Sequence, residues 1–220
     1  MSFGKLFGFE GNVRTNVQLV IAKANNLDIE LVVTHPRTKD PEYLKLNHLA
    51  KIPTFITRDS VVIKEAIAIA FYLASQQNKE MWLGESIEEQ TFILQWMSYA
   101  NSEISPPIAD WYRPLVGKAP YDAEKVKTSR IATLRAVQLL EQHLGSRLYL
   151  VAERLTLADI FTASLICRGF ENVFDAKWRL EYPATTRWFN NVILQPVWRD
   201  TIKNTPICEV SVDTPRKARL

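Results

Sequence analysis

Residues 51–73, KIPTFITRDSVVIKEAIAIAFYL, decide how the first third of this chain is read. IPTFIT (52–57) and SVVIK (60–64) are two short β-branched runs around Arg58-Asp59, the pattern of a hairpin. A helix with an apolar stripe follows directly at 65–78. Pro53 opens the first strand after an apolar residue. Such a proline is either trans at a sheet edge or cis in a tight turn, and the low frequency of cis X-Pro bonds, about 5–6%, favours trans. In the cis alternative the amide and carbonyl of Ile52 face outward, free to pair with an extended peptide along the sheet edge. Glu65-Ala66 opens a helix straight after a strand. Its unpaired first-turn amides suit a carboxylate of a small ligand, or simply water, as at any helix start.

Toward the N-terminus, GKLFGF (4–9) reads as a strand. Residues 12–26 place Val13, Val17, Val20 and Ile21 at helical spacing, with Ala24 extending the stripe, and IELVVTH (29–35) reads as a second strand. The β-α-β order implies a parallel pair with a right-handed crossover. PEYLKLN (41–47) is a short helical piece. The whole is β-α-β then β-β-α, a small mixed sheet whose first pair is parallel and whose last pair is antiparallel. In LFGFEGNVR (6–14) the first apolar run ends and Gly8 and Gly11 break it, yet the turn holds no Ser, Tyr or Cys.

Toward the C-terminus the strand signals stop after residue 80. Residues 86–104 form a helix with Ile93, Trp96, Met97 and Ala100 on one face, and Pro106 and Pro107 should kink or split its continuation. Asp110, Trp111, Tyr112 and Arg113 either wall a cleft facing the first half or pack in the core. Residues 122–145 are a second long helix with Val126, Leu134, Val137 and Leu140 in its stripe, Asp122 at its N-cap and Gly145 past its end. Further helices are expected at 157–173, 184–194 and 196–203. Thr156 and Asp159 form a capping box, with Leu155 and Ile160 as its hydrophobic staple. Strands followed by helices indicate an α+β chain of two domains, 1–79 and 88–205, joined through 79–87, with 206–220 a tail or the start of a linker.

Composition supports a packed core, with 47% hydrophobic and 23% charged residues among 220. The net charge of +3 is scattered apart from TPRKARL (214–220), which argues against a specific nucleic-acid partner. No run of about 18 apolar residues predicts a membrane span, and the N-terminus lacks a signal-peptide pattern. Cys167 and Cys208 lack CxxC spacing and a nearby histidine cluster, so they read as ordinary reduced thiols of a cytoplasmic protein. His35, His48 and His143 have no metal-ligand spacing and read as solvated surface residues, so no metal is expected.

KIPTF, the Glu-Ala helix start and TLADI (156–160), in this order, resemble the cytosolic glutathione transferases over about residues 3–205. Three stretches, 95–121, 148–160 and 181–199, are similar to the transferase-like N-terminal domain of elongation factor 1 gamma subunits of fungal type. The resemblance implies a thioredoxin-like N-terminal domain, an all-α C-terminal domain, a homodimer and a cis bond at Pro53. It also implies glutathione as co-substrate, its cysteinyl part paired with the backbone of Ile52. Lys51 would reach the glycyl carboxylate, and Glu65 with the amide of Ala66 would hold the γ-glutamyl end. Most members carry Ser where Ala66 stands, so one hydrogen bond, about 1 kcal/mol, is removed.

In such a site the turn at 6–14 has to favour thiolate over thiol. Lowering a free thiol's pKa of about 8.5 by two units requires about 2.7 kcal/mol of selective stabilisation. By the resemblance Phe7 stands at the Tyr position and Gly8 at the Ser position, and neither donates from its side chain. The remaining candidates are the Asn12 amide, the Arg14 cation, the Thr15 hydroxyl and the helix-start amides, with Asn12 and Arg14 the expected catalytic pair. Asn12 also suits a plain N-cap, and the two roles are compatible. Two functions remain open: an enzyme conjugating or reducing through an activated glutathione thiolate, and a dimerising scaffold of weak or no activity that meets other elongation factor 1 subunits.

Overall fold

The computed structural model describes residues 2–215, so Met1 and residues 216–220 of the expected tail lie outside the described residues. Four strands, β1 (Gly4–Gly8), β2 (Ile29–Val33), β3 (Thr54–Thr57) and β4 (Val62–Lys64), form one sheet in the order β2-β1-β3-β4. β1 pairs with β2 in parallel and with β3 antiparallel, and β3 pairs antiparallel with β4. Helix α1 (Val13–Ala24) makes the parallel crossover and buries Val17, Val20 and Ile21 completely. Burial of such side chains contributes about 1.5–3 kcal/mol each. Helix α2 (Pro41–Leu46) is capped by Asp40, and α3 (Ala66–Ala74) follows β4.

The strands are shorter than their β-branched runs, because the sheet ladder stops at Val33 and begins again only at Thr54. The helix expected over 65–78 ends at Ala74, and the stretch read as a domain junction contains α4 (Lys79–Leu83). Asn25 holds these pieces together. It is fully buried at the end of α1, donates to the Leu73 carbonyl at 2.9 Å and accepts from Trp82 Nε1 at 3.0 Å.

The second half is helical: α5 (Ile87–Tyr99), α6 (Ser105–Leu115), α7 (Ala123–Leu144), α8 (Leu157–Asn172), α9 (Ala176–Glu181), α10 (Pro183–Ile193) and α11 (Pro196–Arg199). A π-helical turn, Ala100–Ile104, joins α5 to α6. This is the expected break: Pro106 and Pro107 lack amide hydrogens, so the i→i−4 ladder is interrupted and the pitch changes just before them. Asp122 caps α7 through the amides of Glu124 and Lys125 at 3.0 and 3.1 Å. Helix α9 shows no clear period in the sequence. It is held by the Asp175 cap and by a ring stack, Phe174 on Trp178 at 4.0 Å and Trp178 on Tyr182 at 4.4 Å.

Helix α8 is apolar nearly all round and lies in the middle of the molecule, the arrangement expected of such a helix. Phe170 stacks on Phe189 at 3.8 Å, and Gly169 lets Phe174 approach so closely that an added Cβ would stand 2.2 Å from its ring. Helix α8 also packs on α1, where Ser164 donates to the Val13 carbonyl at 2.7 Å. One continuous apolar core thus runs through both halves. Asp159 anchors its centre. Fully buried, it accepts from the amides of Thr156 and Leu150 at 2.9 and 2.8 Å, from the Thr156 hydroxyl at 3.0 Å and from Trp188 Nε1 at 2.9 Å.

One expectation is corrected by packing. His143 is half-buried rather than solvated: its Nε2 bonds the Leu150 carbonyl at 2.8 Å and its ring lies 4.5 Å from Trp96. Within the stretch read as a tail or the start of a linker, the amides of Cys208 and Val212 bond the carbonyls of Phe170 and Asn172 at 2.8 and 2.9 Å.

Candidate functional site

The sheet register gathers the expected site residues at one end of the sheet. Phe7 pairs with Thr54 and Thr54 with Lys64, so one step further Gly8, Pro53 and Glu65 lie side by side across three strands. The N-termini of α1 and α3 open at this same end, with amides that have no intrahelical partner. The carboxyl ends of parallel strands are where α/β sheets present their ligand sites.

The bond between Ile52 and Pro53 is cis, the geometry implied by the resemblance and not the one favoured by local statistics. Tyr43 donates its hydroxyl to the Lys51 carbonyl, and Asn47 Nδ2 donates to the same carbonyl and to Thr54 Oγ1, each at 3.1 Å. These contacts hold the turn at 51–54, while the amide and carbonyl of Ile52 have no hydrogen-bond partner among the described residues. The Lys51 side chain is exposed. Glu65 is exposed at φ 67°, ψ 125°, outside the regions a non-glycine residue ordinarily adopts. Such a backbone costs on the order of 1–3 kcal/mol and is found where a ligand or switch makes use of it. Gln18, fully buried in α1, donates Nε2 to the carbonyls of Ala66 and Arg14 at 2.9 and 3.2 Å, and so ties the start of α3 to α1.

The turn before α1 is equally determined. Gly11 has φ 87°, donates its amide to Asn16 Oδ1 at 3.0 Å and accepts at its carbonyl from Arg168. A Cβ at Gly8 would lie 2.4 Å from Thr15 Oγ1, so the packing of β1 on α1 leaves no room for a side chain there. Asn12 caps α1: its Oδ1 accepts from the amides of Arg14 and Thr15, both at 3.0 Å, and from the Thr15 hydroxyl at 3.3 Å. Because all three partners donate, the oxygen faces the helix and the Nδ2 amide, with no partner among the described residues, faces away. The cap thus occupies the oxygen and leaves the amide nitrogen of the same side chain open. The Thr15 hydroxyl, fully buried and engaged at the cap, is removed from the candidate donors.

Arg14 points across the molecule. Its Nε donates to Asn101 Oδ1 at 3.0 Å, in the π-helical turn. Burial, then the like charge of Arg113, holds its guanidinium below the ordinary range, and Glu65 opposes both. Asn101, Gln18 and Arg168 carry no signal in the sequence, since each acquires its role only from a partner on a distant element.

Two cavities flank α1. The one of about 520 Å³ opens beside Asn12 and Arg14 and is walled by α6 and α8, with Tyr112 in its lining. Trp111, by contrast, is a core residue. The larger cavity, about 760 Å³, lies against the other flank of α1 and residues 198–206 and touches none of the seven expected site residues. Cys167 borders it, but burial pushes that thiol up to about 12, so it holds no thiolate at neutral pH. Among the described residues no group of His, Cys, Asp and Glu is arranged to hold a metal, and no helix is long and apolar enough to cross a membrane.

Comparison with known proteins adds the following. Residues 2–75 match the model of the glutathione S-transferase N-terminal domain, and residues 96–196 match that of the C-terminal domain. The chain is similar to glutathione S-transferase stcT of Emericella nidulans, at 37% identity over 90% of this chain and 90% of that protein. It is also similar to elongation factor 1-gamma 1 of Saccharomyces cerevisiae, at 33% identity over 98% of this chain but only 53% of that one. The solved GST-like domain of elongation factor 1-gamma from Saccharomyces cerevisiae superposes with a TM-score of 0.85 at 33% identity, covering 98% of this chain and 100% of that domain. A glutathione transferase of Phanerochaete chrysosporium solved with oxidized glutathione shares the fold, with a TM-score of 0.84 at 20% identity over 92% and 96% of the two chains.

Proposed function

The chain belongs to the glutathione S-transferase family, and on that premise we propose that it binds glutathione across the end of its sheet and activates the thiol at the turn before α1. One observation carries this reading: Gly8, Pro53 and Glu65 stand in a row at the mouth of two helix N-termini, with the backbone of Ile52 unpaired beside them. An extended tripeptide satisfies these groups together. Its cysteinyl amide and carbonyl pair with Ile52, its γ-glutamyl carboxylate meets the amide of Ala66 at the start of α3, with Glu65 beside it, and its glycyl carboxylate meets Lys51. The sulfur then lies toward the turn, where the Nδ2 of Asn12 donates a hydrogen bond and the Arg14 guanidinium adds positive charge. Both favour thiolate over thiol.

The reaction that follows is attack by the sulfur lone pair on an electrophilic carbon or on a disulfide. Conjugation expels the leaving group with its bonding electrons, and the thiol proton passes to solvent. The relatives named as glutathione S-transferases support this chemistry for this chain. A second reading is favoured by the likeness to elongation factor 1-gamma, in which the same fold serves as a dimerising scaffold among elongation factor subunits and glutathione is a weak or silent ligand. The homodimer common to both readings is supported by exposed apolar side chains on β4, α3 and α5 and beside them: Val61, Val62, Phe71, Phe92 and Leu94. Both readings are those of a cytoplasmic protein.

Titration calorimetry tests the first reading. Specific heat of glutathione binding in the micromolar-to-millimolar range is expected. Folded protein that gives none at several millimolar glutathione leaves the scaffold reading.

A further inference from the structure

Asn12 stands between two peptide groups that are held from the helical half of the molecule. The carbonyl before it, that of Gly11, accepts from the Arg168 guanidinium. The carbonyl after it, that of Val13, accepts from the Ser164 hydroxyl at 2.7 Å. Ser164 and Arg168 are four residues apart on α8, so they stand one above the other on a single face of that helix. Ser164 is fully buried. Arg168 is bound in turn by Glu171, one helical turn further on, which fixes the direction of its guanidinium. The Gly11 carbonyl lies outside the ladder of α1, which begins with the Asn16 amide on the Asn12 carbonyl at 2.8 Å. Arg168 is its one hydrogen-bond partner among the described residues. The other polar groups of the turn are engaged as well, the Gly11 amide by Asn16 Oδ1 at 3.0 Å and the Asn12 amide by the Phe9 carbonyl at 3.2 Å. Capping α1 requires only Asn12 Oδ1 and the amides of the helix's own first turn. Two bonds from residues 151 and 157 positions along the chain are additional to the cap, and what they fix is where the Asn12 side chain leaves the backbone.

We propose that α8 aims the thiol donor: Ser164 and Arg168 are positioning residues that hold the backbone on either side of Asn12, so that its Nδ2 stays within reach of the glutathione sulfur. The consequence for the thiol rests on the proposed glutathione chemistry; the anchoring of the turn does not. A hydrogen bond weakens steeply outside a narrow range of distance and angle, so a donor is effective only where its supports hold it to about 0.5 Å. Arg168 acts here through the Gly11 carbonyl and not as a cation, since Glu171 neutralises it. The helical half thereby takes part in a step performed by a residue of the sheet half.

The double variant Ser164→Ala, Arg168→Lys removes the hydroxyl and the guanidinium fork while keeping the charge. Amide hydrogen exchange at Gly11 and Asn12 in the free full chain reports the anchoring. It is expected to quicken about fivefold or more, the worth of one ordinary hydrogen bond. With glutathione bound, the acid dissociation of the thiol should weaken by up to about fivefold and conjugation at neutral pH should slow by the same factor, while the affinity in calorimetry stays as it was. Placed in Asn12→Ala, the same pair of changes should leave the thiol where Asn12→Ala alone puts it, because no donor remains to be aimed. A merely structural role lowers the melting temperature but moves neither the thiol pKa nor its additivity. Arg168→Lys alone, at a side chain 28% exposed, carries the same test should the double variant fail to fold. Native amide exchange in the variant overturns the inference. So does a native thiol pKa there while Asn12→Ala shifts it, or an equal shift with and without Asn12. Quickened exchange with no glutathione heat in any sample removes the conjugation reading and leaves α8 as what holds the turn.

Discussion

Asn12→Asp is the sharpest test of how the turn before α1 works. The Oδ1 of Asn12 takes three donors from the first turn of α1, and its Nδ2 is left over. Aspartate keeps the capping oxygen and adds a negative charge at the positive end of the helix, worth about 0.3–1 kcal/mol of stability. At the sulfur the same change does the opposite, because a donor is replaced by a carboxylate oxygen. With the charges about 6 Å apart and an effective dielectric of about 40, the repulsion is about 1.4 kcal/mol. The lost hydrogen bond adds about 1 kcal/mol. Together they amount to between one and two pKa units on the bound thiol. The expected outcome is a protein that melts at the same temperature or slightly higher, with a bound thiol titrating one to two units above native and conjugation slower by about ten- to a hundredfold at neutral pH. Asn12→Ala is the control: it removes the cap, at about 1 kcal/mol or 2–4 °C, and raises the thiol pKa by less than the aspartate does. The assay is the ultraviolet absorbance of the glutathione thiolate against pH, beside thermal melts of both variants. A thiol that titrates in Asn12→Asp as it does in the native protein refutes the donor role and leaves Arg14 and the helix-start amides.

Three further outcomes are expected. Gly8→Ser should not supply a substitute donor, because its Cβ would stand 2.4 Å from Thr15 Oγ1; a loss of about 1–3 kcal/mol in chemical denaturation is expected, and an unchanged midpoint with faster conjugation contradicts it. Glu65→Ala should weaken glutathione binding several-fold in calorimetry with little change in bound-thiol pKa, since Glu65 lies at the γ-glutamyl end; a shifted thiol pKa at constant affinity counts against that placement. Burial pushes the Asp159 carboxyl up to about 6 against four donors that pull it down. A pKa raised above the unfolded value of about 3.9 means stability that is fully present below about pH 4 and lost as pH rises through 6, about 3 kcal/mol in all. Asp159→Asn lacks this dependence, so the stability gap between native and variant should narrow from pH 4 to pH 7; a gap that is constant or widens sinks the assignment.

Much of this molecule is written in local pattern. The order of strands and helices, the caps at Asn12, Asp122 and Thr156 and the break near Pro106 all arise from interactions within a few residues, and periodicity and capping chemistry report such interactions directly. What depends on residues brought together from afar was decided by packing alone. Helix α9 exists because Phe174, Trp178 and Tyr182 stack, and His143 is half-buried because α7 lies against the Leu150 loop. Residues 207–212 fold back because α8 ends in carbonyls that need donors. The candidate site divides the same way. Asn12, Arg14, Lys51, Pro53 and Glu65 were legible because each sits in a short motif. Gln18, Asn101 and Arg168 were not, because a polar side chain shows no purpose in a sequence until the fold brings its partner to it. The cavity of about 520 Å³ is the fullest case: its lining comes from α1, from α6 and the loop beyond it, and from α8, and only the tertiary structure sets these around one space.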